Sequence, residues 1–215
     1  MMSDFIYHEP KRKLVQNLDS CKVKSEIGDA ALMCPNCFHM VETYMNYITI
    51  LNHITDQVED FRTDNNYYGV CPNCHKDVKF ELMDANMAKI INILNNKGYY
   101  TAFCCEGHIE PDDYTGEEIF SSPYIYFYSS YDLNILSTNP LPDTWDIDND
   151  DARCKIFVIR DNIHKEIPPS IFNSDNNEII DSEPYIKWLK ENWDQKKRLE
   201  DIYNWAVNLP NKVIQ

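Results

Sequence analysis

Apolar positions recur three and four apart along "DANMAKIINILNNKG", residues 84–98: Met87, Ile90, Ile91 and Leu94 fall on one helical face. Asp84 stands before them as a candidate N-cap. Gly98 suits the left-handed position past the helix end, and Lys97 is placed to face the negative end of the helix. "YYTAFC" then reads as a buried strand, with "PYIYFYSS" at 123–130 and "CKIFVIR" at 154–160 as further strands and "PPSIF" at 168–172 as a break. From Ser182 onward the chain reads as one or two helices. Ser182 caps, Pro184 sits in the first turn, and Pro210 is the stop. Ile186, Leu189 and Trp193 form one stripe, continued by Leu199, Ile202, Tyr203 and Ala206.

The first part of the chain is less regular. In 39–61, Val41, Thr43, Met45, Tyr47, Thr49 and Leu51 alternate as in a strand, while Met45, Ile48, Leu51 and Ile54 fit helical spacing. Both readings stand at this point. "TDNNYYGV" at 63–70 is turn chemistry, and "KDVKFEL" at 76–82 alternates as one strand. Together these elements predict an α+β protein in two parts. Residues 1–82 form an N-terminal domain with a short basic arm and a long insert. Residues 83–215 form a small mixed or antiparallel sheet packed with helices.

Composition narrows the function classes. The 215 residues are 43% hydrophobic and 26% charged, an ordinary globular balance. No apolar run is long enough for a membrane span, and "MMSDFIYHEPKRKLV" lacks the basic-then-apolar order of a signal peptide, so a cytoplasmic protein is expected. The net charge of −15 speaks against tight nonspecific nucleic-acid binding. Residues 1–82 carry −4 of it and 83–215 carry −11, in part through "DTWDIDNDD" at 143–151, read as a solvated acidic loop. Trp188, Trp193 and Trp205 read as core and helix-packing groups rather than a base-stacking platform.

Eight cysteines in such a chain ask for a reason other than disulfides. "CPNC" occurs at 34–37 and again at 71–74, with 33 residues between Cys37 and Cys71. Two Cys-x-x-Cys pairs can wrap one tetrahedral Zn2+, whose charge the thiolates neutralise and whose shell they close. Cys34, Cys37, Cys71 and Cys74 are therefore the expected ligands of a structural zinc in a ribbon-like domain. His39 and His75, just past each pair, are alternative ligands.

"YTAFCCEGHI" at 100–109 concentrates the remaining chemistry. Strand alternation sends Cys104 and Cys105 to opposite faces and places Thr101 and Phe103 on the face of Cys105. Gly107 offers a bend that turns His108 back toward Cys105, with Glu106 at the mouth of the turn. Three readings of this corner stand: a packed strand end, a ligand-binding or catalytic site, and a second metal site completed by Cys154, Cys21 or His164. Cys105, His108 and Glu106 are the candidate catalytic residues; Thr101 and Gly107 are the candidate ligand-binding residues.

The run from Asp84 through Asn95 to this corner resembles the wybutosine-synthesis methyltransferase family of tRNA modification. Thr101, Cys105 and Gly107 match that family's Thr-x-Ser-Ser-Cys-x-Gly-Arg turn, while Phe103, Cys104 and His108 depart from it. The layout is also similar to uncharacterised proteins of phages and their hosts that join a zinc ribbon to a Cys-Cys-x-Gly-His turn. Two functions are expected from these features. The first is a zinc-binding adaptor acting on a protein partner, in phage or host-defence biology. The second, which the resemblance implies, is a methyltransferase-like enzyme on RNA or a small molecule. Its site would include Thr101, Cys105 and His108, and its cofactor would be S-adenosylmethionine.

Overall fold

The computed structural model describes residues 30–43, 50–52, 57–59, 68–79, 81–111, 115–128, 136–148, 157–173 and 178–212. They gather into two compact units, divided between Asn92 and Ile93. The protein is α+β, and every strand pairing among the described residues is antiparallel.

In the first unit β1 (Ala30–Met33) lies between β2 (Met40–Thr43) and β7 (Glu81–Asp84), with Leu32 opposite both Val41 and Leu82. Two short hairpin ladders join β3 (Ile50–Asn52) to β4 (Gln57–Glu59) and β5 (Tyr68–Val70) to β6 (Asp77–Lys79). The alternating reading of 39–61 thus holds at 40–43 and 50–52; residues 44–49 and 53–56 lie outside the described residues. The single strand expected over 76–82 is two strands. β6 completes a hairpin with β5, whereas β7 leaves to pair with β1. A uniform alternation of side chains does not reveal a change of partner.

Helix α1 (Ala85–Asn96) starts directly after Asp84. Met87, Ile90, Ile91 and Leu94 are all buried, as their spacing requires, and Ala88 is buried with them. The helix ends as its sequence dictates. Gly98 adopts φ +89°, its N–H bonds Asn95 O at 3.0 Å, and Tyr99 N bonds Leu94 O at 2.9 Å. This is the double bond of a Schellman end, which needs a left-handed residue at the glycine. Lys97 departs from expectation. Its Nζ donates to the carbonyls of Val207 and Leu209, at the end of a different helix.

The second unit is built on a four-stranded sheet in the order β12 (Trp145–Asp148), β13 (Phe157–Asp161), β11 (Tyr124–Phe127), β8 (Thr101–Cys105). Ile125, Phe127, Phe157 and Ile159 are buried, and the rings of Phe127 and Phe157 stack at 4.5 Å. Residues 145–148, expected within an acidic loop, form the strand β12, because Trp145 is 2% exposed and its indole N–H bonds Arg198 O. A hairpin of β9 (His108–Pro111) and β10 (Glu118–Ser121) follows β8, and β14 (Phe172–Asn173) pairs with β15 (Glu178–Ile179).

Two helices close the second unit. In α2 (Ser182–Asn192) the cap is Asp181 rather than Ser182: its carboxylate accepts from Glu183 N at 3.2 Å. Tyr185, Ile186 and Leu189 of α2 pack with Ile163, Ile167 and Phe172. Asp194 restarts the chain as the cap of α3 (Gln195–Asn208), whose Leu199, Ile202 and Ala206 are buried. Among the described residues no helix is long and apolar enough to cross a membrane.

Candidate functional site

Two sets of side chains in the described residues carry chemistry, one in each unit. In the first unit the two "CPNC" segments adopt one local geometry. Phe38 N bonds Cys34 O and Cys34 N bonds His39 O; in the same way His75 N bonds Cys71 O and Cys71 N bonds Lys76 O. Phe38 and His75, the residues after each pair, both take the left-handed conformation, at φ 55° and 56°. Asn92 of α1 donates to Phe38 O and holds the first turn in place. The result brings the Sγ atoms of Cys34, Cys37, Cys71 and Cys74 within 4.8 Å of one another, which is metal-binding distance. His39 and His75 are not part of that cluster. Burial pushes the Cys34 thiol up to about 12, while the Asn73 amide, donating to Cys37 Sγ at 3.4 Å, lowers the Cys37 thiol to about 6.

In the second unit β8 ends at Cys105. Gly107, at φ +79°, then bends the backbone into β9, which runs on in the direction of β8: Cys105 lies opposite Tyr124 and His108 opposite Ser121. A side chain at 107 has no room: a Cβ there would lie 2.5 Å from Pro123 Cδ. The turn sets Cys105 Sγ 3.6 Å from His108 Nδ1. On the other side of the ring, His108 Nε2 lies 2.6 Å from Glu110 Oε1. The thiol also accepts the Gly107 N–H at 3.3 Å. Gln195 of α3 ties the turn down by donating to the carbonyls of Glu106 and Gly107, at 2.9 and 2.7 Å.

Cys104 and Cys105 pair with Ile125 and Tyr124 and lie on opposite faces of the sheet. Glu106, expected at the mouth of the turn, is instead 4% exposed. Thr101 is not brought to the corner. The register shifts so that Tyr126 faces Phe103 and Phe127 faces Thr101, leaving Ala102 as an extra residue. Thr101 therefore shares a face with Cys104, at the opposite end of β8 from Cys105, about 13 Å away at a strand's rise. There its N–H and hydroxyl both donate to Asn95 Oδ1. Gly107 serves the corner through its backbone. Of the metal partners considered for a second site, Cys21 and Cys154 lie outside the described residues, and the ring of His164 lies edge-on to Phe172.

Beside this corner lies a cavity of about 880 Å³ that the pattern of the chain did not suggest. Tyr124, opposite Cys105, and Ser121, opposite His108, both line it. Phe120, Phe172 and Tyr185 supply apolar wall, and the Arg160 guanidinium, also on the wall, sits 5.5 Å from the centroid of the Tyr124 ring. Burial, and then the thiols of Cys105 and Cys104, push the Tyr124 phenol up. At the inner end Asp161, fully buried, accepts from Arg198 Nη1, Ile163 N and Trp193 Nε1, while Lys165 pairs with Asp146. Burial pushes the Asp161 carboxyl up and the Arg198 charge pulls it partly back. The run "RDNIHK" at 160–165, polar at five of six positions at the end of a buried strand, was the signal available for this cavity.

No protein-family model matches the chain, and no curated protein or solved structure matches it. The resemblance to tRNA-modifying methyltransferases gains no support from these comparisons.

Proposed function

We propose that the protein is a zinc-stabilised binding protein that acts on a protein partner. The observation that carries the zinc is the clustering of four thiols within 4.8 Å of one another. Thiolate sulfur suits Zn2+, and four such ligands leave no open position for a substrate, so the ion's role is structural. It stabilises a unit whose described strands form short ladders. Binding to a protein is supported by the edge of the second unit's sheet. Among the described residues β8 is an edge strand of its sheet; Phe103 on it is exposed at 68%, and Tyr100 and Tyr128 beside it at 49% and 61%. Exposed aromatics at such an edge suit strand addition by a partner.

Elemental analysis of the purified protein tests the first half: one zinc per chain is expected, lost in Cys71→Ser. A photoreactive side chain at position 103 tests the second half. In cell extract it should give one discrete protein adduct, whereas the same group at the exposed Val207 should give none. Full zinc and full stability in Cys71→Ser would refute the zinc. Equal, diffuse labelling from both positions would refute the binding edge. Methyl transfer rests on a smaller footing, since Thr101 lies at the far end of β8 from Cys105. Calorimetry that detects no S-adenosylmethionine binding to the zinc-loaded protein would remove it.

A further inference from the structure

The Cys105 corner has an order that packing alone does not require. An ionised carboxylate only accepts hydrogen bonds, so Glu110, 2.6 Å from His108 Nε2, holds the proton of the neutral ring on that nitrogen. Nδ1 is then left with its lone pair toward Cys105 Sγ, 3.6 Å away, where it can take the thiol proton. The same Glu110 stabilises the imidazolium that forms, and the Gly107 N–H, 3.3 Å from Sγ, stabilises the thiolate. Base, orienting carboxylate and thiol thus stand in one line. His108 and Glu110 are two residues apart on β9, where side chains share a face.

Other chemistry for this thiol fits less well. A dithiol reaction needs a resolving cysteine, but Cys104 points to the opposite face of the sheet. A second metal needs more ligands, and among the described residues the only cluster of mutually close ligand atoms is the four-cysteine one. What remains is nucleophilic attack on an electrophile that enters by the cavity. Its wall includes Tyr124 and Ser121, the strand partners of Cys105 and His108, so the pair lies one strand away from it, and Phe120, Phe172 and Tyr185 give it room for an apolar or aromatic group.

We propose that Cys105 is an activated thiol nucleophile for acyl compounds, esters or thioesters with an apolar group, with His108 as its base and Glu110 as the residue that positions the base. This goes beyond the binding reading and does not depend on it. His108 Nδ1 takes the thiol proton, and the sulfur attacks the acyl carbon. A C–S bond forms and the carbonyl π pair moves to oxygen. Collapse of that oxyanion breaks the bond to the leaving alcohol or thiol, which receives the proton from His108. Water then attacks the thioester while His108 takes its proton. The C–S bond breaks, the carboxylic acid leaves, and the protonated thiol is restored.

The test uses the zinc-loaded full-length protein with p-nitrophenyl acetate. A burst of nitrophenolate equal to the protein present is expected, with the acetyl group mapped to Cys105 by peptide mass analysis. Cys104→Ser should keep the burst. His108→Asn should slow iodoacetamide labelling of Cys105 about thirtyfold near pH 7, since an unassisted thiol is only a few per cent thiolate there. Glu110→Gln should move the midpoint of the labelling rate against pH toward higher pH, a readout that loss of packing alone would not shift. The titratable and charged groups around the thiol are His108, Glu110, Glu106 and Cys104 on its own segment, Tyr124 on β11 and Arg160 on β13. Acetylation confined to other residues would overturn the proposal, as would equal labelling rates in His108→Asn and the parent. A second zinc per chain that disappears in Cys105→Ser would overturn it in favour of a metal site. Mapping the acetyl group on the parent protein decides the question even if the variants fold poorly.

Discussion

Replacing Gly107 by alanine tests whether the corner is built as described. The residue is at φ +79°, where a Cβ costs about 1–2 kcal/mol. The new methyl would also lie 2.5 and 2.6 Å from Cδ and Cγ of Pro123 and 2.9 Å from its nitrogen. That ring cannot swing away. Pro123 O accepts from Asp161 N at 3.0 Å, and the next residue, Tyr124, is held in the ladder opposite Cys105. Forced overlap of this kind costs about 1–3 kcal/mol. The lower entropy of the unfolded alanine chain returns about 0.4–1 kcal/mol. The net loss is about 3 kcal/mol, or roughly 10 °C in Tm for a unit of this size. Gly116→Ala is the control. It has a similar φ of +73° but nothing within 4 Å, so it should lose only about 1 kcal/mol. Urea unfolding followed by tryptophan fluorescence reads the right unit, because Trp145, Trp188, Trp193 and Trp205 all belong to it. A Gly107→Ala variant no less stable than Gly116→Ala would refute the contact with Pro123 and the turn geometry built on it.

Zinc uptake should release protons and weaken as pH falls, because Cys34 is pushed up to about 12 and loses its proton to the buffer only when the metal displaces it, while Cys37, lowered to about 6, is already a thiolate at neutral pH; calorimetry in buffers of different ionisation enthalpy measures this. Arg198→Met should cost about 3–5 kcal/mol in urea unfolding by leaving Asp161 buried without its cation. Burial already raises the Asp161 carboxyl, so its favourable contribution is present below the unfolded value and lost as pH rises through the folded one; the deficit of Arg198→Met should therefore shrink toward about pH 4. Lys97→Met should cost about 1–2 kcal/mol by removing the charged donor to two carbonyls at the end of α3. Filter binding should find no tight, salt-dependent association with duplex DNA, as a chain at −15 lacks phosphate-neutralising surface.

What the sequence showed and what it hid divide by distance along the chain. The stripe of Met87, Ile90, Ile91 and Leu94 and the glycine at 98 are local, and α1 forms and ends where they put it. The repeated "CPNC" is local twice over, since each copy fixes its own turn. The approach of His108 to Cys105 was also readable, from strand alternation plus one glycine. The place of Thr101 was not, because the extra residue at Ala102 is set by pairing with β11 and reverses which face Thr101 shares. Glu110 could have been found from the same alternation that places His108. Arg198 could not: it lies in an amphipathic helix, and its partner Asp161 is 37 residues away.

The fastening of α1's end to the end of α3 bears on the order of events as the chain emerges from the ribosome. Lys97 and Tyr99 meet Val207, Leu209 and Pro210 across separations of 110 to 112 residues. Closing a loop of that length costs about 4 kcal/mol in chain entropy, which nothing local repays. At about 5–20 residues per second, synthesis of the intervening chain takes roughly 6–20 s. Through that interval β8 follows a helix end that lacks its distant partners, and a strand that carries Phe103 and follows Tyr100 stands ready to pair with a neighbouring nascent chain. The period before the last helix arrives is therefore when this protein most needs a chaperone.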